Sequence, residues 1–159
     1  SPTRLAIHDW LPDELSALIS HLDAIRAVAL HFASHDGVAF ISEDDASSDF
    51  VKYWSREGFG LDHVIEAAPA GWELLQLSRI NQRHDFVRLE DEEGWRNHPY
   101  FAFEPYSGTS DGGFYAVTAA LAHKVTAKMW HNGAWKIGID ELTSPGVEFA
   151  VYGLGHAFT

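Results

Sequence analysis

The longest periodic pattern of apolar positions occupies residues 11–35, where apolar side chains recur at alternating spacings of three and four residues. Such spacing aligns them along one side of an α-helix. Pro12, Asp13 and Glu14 suit the first turn of that helix, and Gly37 suits its exit. The pattern therefore predicts a long N-terminal amphipathic helix. Its apolar stripe consists of Leu15, Leu18, Leu22, Ile25, Ala29 and Phe32.

A second, shorter helix is predicted after residue 42. Residues 38–41 form a short apolar run that fits either a strand or a return of the chain into the core. Ser42 and Asp45 then match a capping box, in which a hydroxyl is followed three residues later by an acid. The helix predicted behind this cap ends at Gly58 and carries Phe50, Val51, Tyr53 and Trp54.

Strand-forming residues become frequent after the break at residues 69–71. The pattern predicts a hairpin of strands over residues 72–80 and 85–90, and a further strand over residues 100–106. Two more strands are predicted over residues 135–139 and 147–154, separated by the turn residues at 144–146.

Residues 114–130 fit two periodicities. Val117, Leu121, Val125 and Met129 repeat every four residues, as in a helix, while residues 115–129 also alternate passably as in a strand. The frequent alanines and an N-cap at Asp111 favour the helix, which is our prediction for this segment.

Helices before and among runs of strands predict an α+β fold, with a mostly antiparallel sheet packed against about three helices. A chain of 159 residues is large enough to bury a core and fits one domain spanning residues 1–159. No apolar run approaches the roughly 18 residues of a membrane span, and no signal-peptide pattern is present. We therefore expect a cytoplasmic protein, with a tag or leader removed before Ser1.

Acidic residues outnumber basic ones by 23 to 11, which gives a formal net charge of -12. A surface of that charge repels nucleic acid and anionic membranes, so we expect neither as a partner. The same charge attracts a basic protein, at a rate that salt reduces. The chain contains no cysteine, which excludes disulfides and thiolate metal sites.

Ten histidines raise the question of a metal site. The best spacing is that of His31 and His35, because residues four apart on a helix can share a metal ion. Position 32 is Phe, where a zincin motif has glutamate, and the sequence places no third ligand. We therefore predict no metal ligands.

Motifs for catalysis or for a cofactor are weak. The glycine-rich segment 108–113 resembles an anion-binding loop, but no Gly-Lys-Ser/Thr follows, and Asp111 would repel a phosphate. The chain has no G-x-S-x-G elbow and no cysteine nucleophile. We therefore predict no cofactor and no catalytic residue.

Two acidic runs next to large aromatic residues are the best candidates for binding a partner. The aromatic rings supply contact area, and the acids supply steering and charge-assisted bonds to Arg or Lys. A solvated face that serves only solubility is the competing interpretation. The predicted partner-binding residues are Glu43, Asp44, Asp45, Asp49, Tyr53 and Trp54 in the first run, and Glu90, Asp91, Glu92, Glu93 and Trp95 in the second.

These features predict an acidic protein that neutralises a basic protein partner. The most concrete form is a bacterial immunity protein that inhibits a toxin, for example a nuclease whose active site accommodates phosphate. Such an inhibitor needs a rigid acidic face and no catalytic motif. The alternatives are a small histidine-dependent metal or acid-base enzyme and a small-molecule binding module.

Overall fold

The computed structural model describes residues 12–44, 60–77, 113–137 and 157–158, with side chains for all of these except residues 12–15 and 157–158. The helices in these ranges are α1 (Pro12–His31), α2 (Leu61–Ala67) and α3 (Ala119–Met129). None of these helices is both long and apolar enough to cross a membrane. Helices occur together with antiparallel strands, which fits the predicted α+β class.

Four strands form the main sheet in the order β1 (Val38–Ser42), β3 (Phe114–Thr118), β2 (Leu74–Gln76) and β6 (Ala157–Phe158). Strand β3 is antiparallel to both β1 and β2, and β2 is parallel to β6. Tyr115 on β3 is paired with Ile41 on one side and with Gln76 on the other. Directly paired residues share a face of the sheet, so these three side chains are neighbours on one face.

Helices α1 and α3 pack together with that face of the sheet. The core cluster joins Leu22 and Ile25 of α1 to Leu121 and Val125 of α3 and to Tyr115 of the central strand, all fully buried. The predicted N-terminal helix is therefore present, and it ends at His31. Of its predicted stripe, Leu18, Leu22, Ile25 and Ala29 are buried and Phe32 packs against the cluster, while the side chain of Leu15 lies outside the described residues.

The helix predicted for residues 114–130 is wrong over its first five residues, which form β3. Tyr115, Ala116 and Val117 are all fully buried between two neighbouring strands, so burial on both faces of the sheet overrides local helix propensity. Helix α3 begins only at Ala119. The Thr118 hydroxyl caps it by accepting the Leu121 backbone N–H at 3.3 Å, so the N-cap is Thr118 and not Asp111.

The glycine-rich segment therefore does not lead into a helix, because Gly113 directly precedes a strand. The helix dipole that an anion-binding loop would use is absent from this junction. Residues 108–112 themselves lie outside the described residues.

Several other predicted elements can be compared only in part. Residues 38–41 are a strand, and residues 72–80 contain β2. Ser42 ends β1, and its hydroxyl donates to the Glu43 carbonyl at 2.8 Å. The predicted helix ending at Gly58 and the strands over residues 85–90, 100–106 and 147–154 lie outside the described residues.

A small hairpin follows α3. Of the strand predicted over residues 135–139, Trp135 lies in a strand and residues 136–137 do not, while residues 138–139 lie outside the described residues. The hairpin pairs β4 (Trp130–His131) with β5 (Ala134–Trp135) across Asn132 and Gly133, both of which have positive φ. An Asn-Gly pair favours such a turn. The Trp135 indole N–H donates to Asp23 at 2.7 Å, which attaches the hairpin to α1.

Candidate functional site

The structure describes two of the eleven predicted partner-binding residues. Glu43 directly follows β1 and is partly buried, and Asp44 lies in an exposed turn. The other nine lie outside the described residues: Asp45, Asp49, Tyr53, Trp54, Glu90, Asp91, Glu92, Glu93 and Trp95. The candidate site is therefore the Glu43 end of β1 and the side chains that contact it.

The position of Glu43 follows from the alternation of β1. Ala39 and Ile41 pack against the core between the sheet and the helices, and alternate residues of an extended chain face the same way. The Glu43 backbone N–H donates to the Gly113 carbonyl at 2.9 Å, which continues the pairing of β1 with the chain before β3. The Glu43 carboxylate thus lies on the helix-facing side of the sheet, at the end of the strand.

A buried histidine on α1 meets this carboxylate. His21 Nε2 lies 2.9 Å from Glu43 Oε1, and His21 Nδ1 lies 2.9 Å from the Tyr115 hydroxyl. His21 is 5% exposed and Tyr115 is fully buried. Three segments that are distant in sequence, namely α1, the end of β1 and the central strand, therefore share one chain of hydrogen bonds, here named the Glu43–His21–Tyr115 chain.

The chemistry of the three groups determines the direction of each bond. An ionised carboxylate only accepts hydrogen bonds. His21 Nε2 is therefore the protonated ring nitrogen, and its N–H donates to Glu43 Oε1. In a neutral imidazole the other nitrogen then accepts, and the Tyr115 hydroxyl donates to Nδ1. Burial, and secondarily the negative charge of Glu43, raise the pKa of Tyr115 far above its ordinary value, which keeps that hydroxyl protonated.

The same geometry limits what the site can do chemically. Both ring nitrogens of His21 are engaged within the protein, and the tyrosine has no exposed surface. Neither group can therefore reach a substrate in this conformation. Glu43 is different, because its side chain is 33% exposed. The arrangement is suited to presenting a held carboxylate to a cation in solution.

A second polar contact joins α3 to the segment before β2. Lys124 forms an ion pair with Glu73, whose side chain is 11% exposed, while that of Lys124 is 53% exposed. Gln76 is also buried and shares the sheet face with its cross-strand neighbour Tyr115. Glu73 and Gln76 therefore place two buried polar side chains at or next to β2.

His31 and His35, whose spacing could have allowed a shared metal ion on a helix, do not both lie on the helix. Helix α1 ends at His31, and His35 lies in a bend beyond it, with the two ring centres 6.5 Å apart. Within the described ranges, no three His, Asp or Glu side chains converge in a way that could hold a metal ion.

Sequence reasoning missed His21 and Tyr115. One indication was available for the histidine, because position 21 lies three residues after Leu18 and directly before Leu22, within the apolar stripe. A polar residue on a buried helix face requires a hydrogen-bond partner. The identity of that partner was not accessible from spacing, since Glu43 and Tyr115 are brought to His21 only by the packing of α1 on the sheet.

The buried tyrosine predicts a specific loss of stability in alkali. Its pKa is raised on folding, so the unfolded chain releases the proton near pH 10 while the folded chain retains it. The resulting stabilisation is complete below pH 10 and decreases as the pH rises from there towards the pKa of the folded protein, by about 1.4 kcal/mol per pH unit.

This effect is measured by comparing the free energies of unfolding of the parent and Tyr115→Phe between pH 9 and pH 11, by denaturant titration. We expect the parent to lose stability more steeply than the variant, because a phenylalanine ring has no hydroxyl to ionise. Parallel slopes would show that Tyr115 ionises as readily in the folded protein as in the unfolded chain. The other tyrosines are common to both proteins and cancel in the comparison.

No protein-family description, curated protein or solved structure matches this chain.

Proposed function

We propose that this protein binds a basic protein partner through its acidic surface. The observation that carries the proposal is the net charge of -12, together with two carboxylates at the end of β1, of which Asp44 is exposed and Glu43 is held at the surface by His21. A strongly acidic protein attracts a basic one over distances comparable to the Debye length, about 10 Å at 0.1 M salt.

The most concrete form of this function is that of a bacterial immunity protein which inhibits a toxin in the cytoplasm. A nuclease toxin has an active site lined by positive charge for phosphate, and carboxylates can occupy the same positions as phosphate oxygens. Inhibition of this kind requires a rigid acidic face that is complementary to the toxin, and no chemistry by the inhibitor.

An acid-base enzyme is less well supported by the described residues. The Glu43–His21–Tyr115 chain is the natural candidate for proton transfer, but two of its three members are buried and both histidine nitrogens are bonded. A general base must come within hydrogen-bond reach of the substrate proton, directly or through a water. Of the three members of the Glu43–His21–Tyr115 chain, only the glutamate is exposed enough to do so.

The proposed function is tested with the product of the gene adjacent to this one. We expect that product to be basic, to arrest bacterial growth when expressed alone, and to form a stable complex with this protein that restores growth. Continued growth arrest in the presence of this protein, with no complex on size-exclusion chromatography, would reject the immunity hypothesis.

A further prediction separates the roles of the two acidic runs. Replacing Glu90, Asp91, Glu92 and Glu93 by their amides should leave the melting temperature nearly unchanged, because the sequence places no helix start there to be capped. The same variant should bind the basic partner more weakly. The measurements are thermal unfolding and titration calorimetry.

The matched control is the variant Asp36→Asn/Glu66→Gln, which neutralises two exposed acids that belong to neither run in the sequence. We expect a larger loss of affinity for each charge removed in the 90–93 variant than in this control. Equal losses per charge would mean that the run contributes only to the overall charge. A much lower melting temperature would mean that the run is buried or paired within the fold.

A further inference from the structure

We infer that His21 is a positioning residue that holds Glu43 as an anchor for a guanidinium or ammonium group of the basic partner. The inference rests on the proposed function, and it identifies the carboxylate at the end of β1 as the acid whose geometry is set before the partner arrives. The observations behind it are the two 2.9 Å contacts of His21 and the unequal environments of the two Glu43 oxygens.

The two carboxylate oxygens of Glu43 have different roles. Oε1 accepts the His21 Nε2–H from the protein interior. Oε2 has no partner among the described residues, and the side chain is 33% exposed. A carboxylate has about four lone-pair sites, so bonding to histidine leaves capacity for a donor from outside. The partner group best suited to it is a cation, because charge-assisted hydrogen bonds are the strongest available to a carboxylate.

His21 contributes by restricting the conformation of the Glu43 side chain. A free surface glutamate loses rotamer entropy when a partner immobilises it, which weakens binding. The bond to a buried histidine restricts that freedom before binding. The Tyr115 hydroxyl, bonded to the other ring nitrogen, holds the histidine ring itself in place.

Among the other surface acids in the described ranges, Asp23 accepts a bond from the Trp135 indole, but none is bonded to a buried histidine. Asp36 is exposed and forms no hydrogen bond or ion pair with the described residues, and Asp62 contacts only the exposed His63. Exposed ion pairs of this kind contribute little to binding or stability. Asp36 is therefore the matched control for Glu43, since both substitutions to the amide remove one negative charge.

The first test examines the histidine without any partner. Nitrogen-detected NMR of protein labelled at histidine distinguishes a protonated ring nitrogen from a bare one. At a pH where the ring is neutral, we expect Nε2 of His21 to carry the proton and Nδ1 to be bare. A proton on Nδ1 with a bare Nε2 would overturn the inference, because Glu43 would then receive no hydrogen bond.

The second test uses an oligoarginine peptide as the probe and measures its affinity at low ionic strength. We expect Glu43→Gln and His21→Leu each to weaken binding about tenfold, in keeping with the loss of one hydrogen bond to a charged group. Asp36→Asn should weaken binding less than about twofold. His21→Gln should bind nearly as well as the parent, because its side-chain amide can also donate to Glu43. This variant keeps the test decisive if His21→Leu does not fold.

The outcomes of these tests are distinct. If the parent binds the peptide and His21→Leu binds equally well, the positioning role is wrong while the proposed function stands. If Glu43→Gln loses no more affinity than Asp36→Asn, Glu43 is not the anchor. If the parent does not bind the peptide at all, the ligand inferred for Glu43 is rejected, while the proposed function is decided separately by the complex with the product of the adjacent gene.

Discussion

Replacing Leu22 by alanine should lower the free energy of unfolding by about 2–5 kcal/mol. Leu22 has no exposed surface and lies in the cluster that joins α1 to α3 and to the central strand. Removal of its side chain leaves a cavity that surrounding groups on three elements cannot fill without moving, so the loss includes both the transfer of the side chain and the cavity.

The matched control is Leu30→Ala on the same helix. Leu30 is 61% exposed, so its truncation removes little buried surface. The two substitutions change helix propensity equally, and we expect the control to change stability by less than about 0.5 kcal/mol. Urea denaturation of both variants measures the difference. Equal effects at the two positions would contradict the orientation of α1 on the sheet.

The second large effect is expected at Tyr115, which joins the core to the buried polar chain. Replacement by alanine should cost about 3–5 kcal/mol, because a fully buried aromatic ring is removed from the central strand. Replacement by phenylalanine keeps the ring and removes the hydroxyl that donates to His21, and should cost about 1–2 kcal/mol.

The comparison separates packing from hydrogen bonding at one position. Chemical denaturation of Tyr115→Ala and Tyr115→Phe gives both values under the same conditions. A phenylalanine variant as unstable as the alanine variant would show that the hydroxyl, and not the ring, holds this part of the core. A phenylalanine variant as stable as the parent would show that the bond to His21 contributes nothing net to folding.

Helix α1 was predictable because its apolar positions repeat over several turns. The helical repeat alone places Leu18, Leu22 and Ile25 on the same side of the helix. The segment 114–130 was predicted less well, since a buried strand ends there at Thr118 and a helix begins at the next residue, Ala119. Residues 114–118 form a strand because they pair with β1 on one side and β2 on the other. The pattern of residues within the segment carries no information about these neighbouring strands.

The candidate site was predictable only in its surface residues. Glu43 and Asp44 stand out in the sequence because they belong to an acidic run. The bond from Glu43 to His21 joins residues 22 positions apart, and the bond from His21 to Tyr115 joins residues 94 positions apart. Such contacts arise from tertiary packing, which spacing along the chain does not encode.

The most direct test of the proposed binding of a basic partner is its association rate as a function of salt. With the product of the adjacent gene as the partner, stopped-flow or surface-based kinetics should show a fall of about tenfold or more between low salt and 0.5 M NaCl. The dissociation rate should change far less, because salt screens the long-range attraction more than the formed contacts. An association rate that does not depend on salt would contradict the account, since the charge of -12 would then play no part in capturing the partner.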